Sequence, residues 1–100
     1  MPSYNDFHGR SKTISTTAGT AIVTGPCVIH HISLSAGADA ATLIIYDALT
    51  ATGTEITLNA AITTTTSLDF GPTGIYFATG LTTATTGTTP THHVAYQVGV

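Results

Sequence analysis

Two pairs of adjacent histidines, His30-His31 and His92-His93, are the side chains best equipped for chemistry in this 100-residue chain. Imidazoles hold metals and move protons, but neighbouring side chains on a strand point to opposite faces, so neither pair chelates one ion through both rings. One ring from each pair could do so only if the two strands lie side by side, or rings could converge on a symmetry axis between subunits. No carboxylate stands at a spacing that would orient the second ring nitrogen. The expectation is therefore no metal, with His30, His31, His92 and His93 packing inside the fold or at a subunit interface. A Ser33-His93-Asp47 triad can be assembled on paper, as it can in many small β-proteins, and fold alone does not make a site of it. Asp39, Asp47, Glu55 and Asp69 lie 8, 8 and 14 residues apart, and no G-x-S-x-G elbow, H-E-x-x-H helix, P-loop or G-x-G-x-x-G turn is present. Asp39 and Asp47 adjoin turns, where such side chains cap backbone groups. Cys27, the single cysteine, has no intrachain partner and is expected to be a small buried apolar residue. No cofactor and no catalysis are expected.

The elements that position these residues are strands. From Thr13 onward the hydrophobic period is two, and the enriched types (Thr, Ile, Val, Tyr, Phe) suit a pleated, half-buried surface. Straight-chain helix formers are almost absent. Strands are expected over 13–17, 20–24, 28–35, 42–47, 55–59, 67–70, 75–78 and 92–98, separated by turn signals such as Gly25-Pro26, Gly71-Pro72-Thr73-Gly74 and Gly87-Thr88-Thr89-Pro90. About eight short strands at this spacing predict an all-β protein, an antiparallel, jelly-roll-like β-sandwich occupying 13–100. Strict alternation places Val28, His30, Ile32 and Leu34 on one face of their strand, with Ile29, His31 and Ser33 on the other. It also sets Leu43 and Ile45 against Thr42, Ile44 and Tyr46, and puts His92, Val94, Tyr96 and Val98 together. Strands apolar on both faces hint that a neighbouring chain or an arm covers the outer one, a first sign of oligomerisation. Residues 1–12 hold both cations and the aromatics Tyr4 and Phe7, and read as a short extended arm. The similar stretches from Ile45 to Thr54 and from Ile75 to Thr88 read as two loops of shared composition.

Composition limits the partners. Charged residues are 7% of the chain against roughly 25% in an ordinary soluble domain, while threonine fills 23 positions and alanine 13. Arg10 and Lys12 are the only basic residues, too few to neutralise a phosphate backbone, so no nucleic acid is expected. No apolar run approaches the about 20 residues that cross a bilayer, and the polar start carries no leader pattern, so no membrane and synthesis in a host cytoplasm are expected. A near-neutral, threonine-clad surface suits a protein held in an array better than one that must stay apart from its copies.

The segments GPCVIHHISLSAG, ATLIIYDALTATGTEI, GIYFATGLTTATTGT and VAYQV, in that order, resemble a recurrent small all-β virion protein of tailed bacteriophages. The resemblance covers roughly three quarters of the chain and is carried best by Tyr46-Asp47 at a strand end and by Gly80-Leu81 after Phe77. Ala48-Leu49 departs from it, standing where a glycine turn would follow the aspartate. The resemblance implies a capsid cement or decoration protein: a homotrimer, not an enzyme, that sits on the outer surface of the virion and holds major capsid protein subunits together. It further implies that Tyr4, Phe7, Arg10 and Lys12 face the capsid, since aromatic and arginine residues are favoured anchors. The alternative is a tail or fibre domain that binds a host-surface glycan.

Overall fold

A computed structural model of the chain describes residues 19–98 and the backbone of 9–14. Among these residues there is no helix, and nine strands build two antiparallel sheets. They are β1 Gly9–Ile14, β2 Thr20–Thr24, β3 Cys27–Ser35, β4 Ala41–Tyr46, β5 Thr54–Ala60, β6 Thr65–Asp69, β7 Ile75–Phe77, β8 Gly80–Thr86 and β9 Thr91–Val98. Sheet A runs β1-β9-β3-β6, with β7 following β6 along the same side of β3, and sheet B runs β2-β8-β4-β5. The pairs nest: β4 with β5, β3 with β6 and β7, β2 with β8, and β1 with β9. This is a long hairpin whose outer arms have rolled back against β3 and β4. The two sheets enclose one core containing Ile29, Ile32, Leu34 and Val94 from sheet A and Leu43, Ile45 and Leu81 from sheet B. The antiparallel all-β sandwich is thus as the threonine-rich alternation requires.

Strict alternation fails in β3, for a definite reason. Against β9, Ile29 pairs with Tyr96 and His31 with Ala95, leaving His30 as an extra residue in a bulge. A bulge shifts the phase of everything beyond it. Cys27 and Ile29 before it, and Ile32 and Leu34 after it, therefore all reach the core and are fully buried. The apolar character of both apparent faces of this strand is produced by the bulge, and needs no neighbouring chain to cover it. The alternation holds in β9 and, up to Ile45, in β4: Leu43, Ile45, His92 and Val94 point inward, while Tyr96 and Val98 pack on the same core. Tyr46, expected opposite Leu43 and Ile45, is buried as well, just past a register shift against β5.

Two further boundaries differ from expectation. Residues 9–12, assigned to the arm, belong to an edge strand in register with Gln97 through Val94. Of the strand expected over 13–17, positions 15–17 lie outside the described residues. Beyond it, the stretch 80–86, taken for part of a loop, is β8, an interior strand of sheet B. Its inward positions carry Leu81, Thr83 and Thr85, all buried. Thr has the β-branched shape of Val and packs equally well on a pleated sheet, but each hydroxyl then needs a partner.

Candidate functional site

The four strand histidines occupy three different environments. His92 is 1% exposed, and its Nε2 lies 2.7 Å from the Thr83 hydroxyl, a hydrogen bond that joins β9 of sheet A to β8 of sheet B across the core. Its Nδ1 is buried without a hydrogen-bond partner. Burial holds its pKa down at about 4, so the ring is neutral near pH 7. His30, displaced by the bulge, is tied down on both sides: its Nδ1 meets the Gly71 carbonyl at 3.2 Å and its Nε2 the Gln97 side-chain amide at 3.0 Å. The remaining two share the outer face of sheet A. His31 stands opposite Ala95 and His93 opposite Ser33, which makes the two rings diagonal neighbours on adjacent strands.

This placement corrects the interface expectation for His92, which belongs to the core of its own chain and has no surface to offer a neighbour. β3 and β9 do pair, as a shared ion would require, but no group of three or more His, Cys, Asp or Glu side chains converges among the described residues. Nor does the paper triad assemble. Ser33 and His93 are cross-strand partners in sheet A, whereas Asp47 sits past the end of β4 in sheet B with both carboxylate oxygens engaged elsewhere. No cleft forms among the described residues.

The engagement of Asp47 is the most organised polar feature of the fold. Its Oδ1 accepts from the amides of Thr79 at 2.9 Å and Gly80 at 3.3 Å, and its Oδ2 accepts from Ala78 at 3.2 Å. The turn between β7 and β8 is thereby clamped to the end of β4. Next to it the Thr82 hydroxyl donates to the Ala48 carbonyl at 2.7 Å, and Leu49 lies over Gly80, where a Cβ would stand 2.8 Å from Leu49 Cδ2 and 2.7 Å from the Val23 carbonyl. The two sequence pieces around Tyr46-Asp47 and Phe77…Gly80-Leu81 form one structural unit, with Phe77 and Leu81 buried beneath it. No known protein family, curated protein or solved structure matches the chain. The unit stands on its own geometry, as a clamp whose carboxylate is consumed by backbone amides.

At the opposite end of the sandwich a second acid does similar work: the Thr88 hydroxyl donates to Asp39 Oδ2, and the Thr63 amide donates to the Gly37 carbonyl at 3.1 Å. Thus Asp39 and Asp47 serve turns, as their positions implied. Tyr4 and Phe7 lie outside the described residues, while Arg10 and Lys12 are in β1, in register opposite Tyr96 and Val94.

Cys27 is fully buried, and its thiol pKa is raised to about 11, first by burial and second by the charge of Asp47. Since the thiolate is the nucleophile, native protein at pH 8 should take up no iodoacetamide during an exposure that labels the urea-unfolded chain completely. Mass spectrometry reads the adduct directly, and rapid native labelling would contradict this burial.

Proposed function

We propose that this chain is a structural virion protein of a tailed bacteriophage, a cement or decoration protein that binds the outer capsid shell as a homotrimer and braces contacts between major capsid subunits. The observation that carries the proposal is the character of the two sheet faces. Sheet B turns outward Thr42, Ile44, Thr57, Asn59, Ala84 and Thr86, and sheet A turns outward His31, Ser33, Ser35, Ser67, Asp69, His93 and Ala95. Most of these are short hydroxyl and methyl side chains, which lose little entropy when an interface immobilises them, and Asp69 is the one carboxylate among them that an interface would have to desolvate. The nested antiparallel pairing is compatible with a jelly roll, an architecture used for capsid domains. Many such weak contacts repeated over a shell give avidity without any individually tight site. A glycan-binding fibre domain would be favoured by aromatics gathered over a cleft, whereas Tyr76 is the one exposed aromatic among the described residues.

The capsid-facing role of the arm is part of the proposal. Because β1 begins at Gly9, the deletion that tests it must stop at residue 8. Removing 2–8 is expected to abolish co-sedimentation with undecorated shells while leaving the β-type circular dichroism unchanged. Retained binding would remove Tyr4 and Phe7 from the capsid contact.

A further inference from the structure

The sandwich has two unlike flanks. One is made by the edge strands β1 and β2, the other by β5 and β6. The β1 strand carries Arg10 and Lys12, every basic residue of the chain, whereas the opposite flank carries Glu55 and Asp69. The acidic flank also leaves apolar side chains open. Leu68 stands in register with Ile32, which is fully buried, yet Leu68 remains 39% exposed, and Ile62 in the connection from β5 to β6 is 54% exposed. Ile56, Leu58 and Phe70 beside them are only half-buried. Edge strands are ordinarily guarded by lysine, proline or a bulge; β6, Thr-Thr-Ser-Leu-Asp, has none of these and only the terminal acid.

From these observations we infer that copies of this chain associate head to tail, the β1/β2 flank of one covering the β5/β6 flank of the next. The occupant is a second copy because the charge match lies within the molecule: its only Lys and Arg are in β1 on one flank, and two of its acids lie at one end of the open apolar seam on the other. The flanks lie on opposite sides of the sandwich, so the contact is heterologous, giving a ring where the rotation between copies closes and a filament where it does not. Leu68 and Ile62 are buried in the contact, and Arg10 and Lys12 approach Glu55 and Asp69. The contact rests on the homotrimer reading proposed above, but it requires no capsid, so its failure is distinguishable from a failure of shell binding.

Sedimentation velocity on the purified full chain tests it. Species larger than the monomer are expected, and Leu68→Arg and, separately, Ile62→Arg should each convert them to monomer with the circular dichroism of the parent. Both positions are exposed, and either variant that folds suffices. Direction is read by crosslinking with a short bis-maleimide, to which buried Cys27 is silent: the double variant Lys12→Cys, Leu68→Cys should give covalent oligomers, and neither single variant should. A monomeric parent at every concentration, an unchanged oligomer in the arginine variants, or dimers from Leu68→Cys alone, which would mean a symmetric flank-to-flank contact, each overturns the inference.

Discussion

Lowering the pH from 7 to 4 is expected to remove about 3 kcal/mol of folding stability through His92 alone. The folded chain holds this ring neutral, with its pKa lowered from 6.5 to about 4 by burial. In the unfolded chain the same ring takes a proton at the ordinary histidine value, so below pH 6.5 the unfolded state binds more protons. Stability is therefore complete above about pH 6.5, declines as the pH falls toward 4, and loses nothing further from this group once the folded form also protonates. The loss is a large fraction of the 5–15 kcal/mol typical of a small domain. The hydrogen bond to Thr83 offers no relief, because a proton added to a ring that is 1% exposed has no carboxylate partner at its open nitrogen. Urea midpoints measured from pH 7.5 to 4 should fall at constant m-value, and His92→Gln should flatten that slope. An unchanged slope in His92→Gln would place the acid sensitivity elsewhere.

The second large effect is expected at Asp47. Replacing it with alanine withdraws the acceptor from three consecutive amides, 78–80, and should cost about 2 kcal/mol, since hydrogen bonds to a charged group contribute more than neutral ones. Ala78 and Thr79 can turn to water, but Gly80 is buried, so most of the cost falls on its amide and on the turn it fixes. Asp47→Asn retains one acceptor oxygen and should lose about half as much. Amide hydrogen exchange at Thr79 and Gly80 should accelerate in Asp47→Ala while the β3 and β9 amides keep their order of protection. If exchange at 79 and 80 matches the parent, the clamp is not what orders the turn.

Much of the architecture is legible because aliphatic alternation is a direct image of a half-buried strand. The segment 20–24 coincides with β2, and β3, β4, β5, β7 and β9 begin and end within one residue of their expected limits. One strand escaped through the use of polar side chains in core positions. The strand β8 shows a single aliphatic, Leu81, and hides its alternation in Thr83 and Thr85, whose burial depends on partners such as His92 that are distant in sequence. The bulge at His30 left a trace, the three-residue step from Ile29 to Ile32, but that step becomes readable only once the core is known to need both residues. Asp47 was recognisable as a turn-capping residue, though its turn lies 31 to 33 positions away, and no local pattern reports such a partner. The arm boundary was displaced for a related reason: Gly9–Ile14 is a polar edge strand, held by backbone pairing with β9 and lacking the aliphatic repeat that marks interior strands.

The central claim is that this chain is a repeated component of a capsid shell. Quantitative mass spectrometry of purified virions, measuring its copies relative to the major capsid protein, tests that claim most directly. The account predicts a ratio close to stoichiometric. A few copies per particle would contradict it in favour of a tail or fibre domain, and absence from the virion would contradict both.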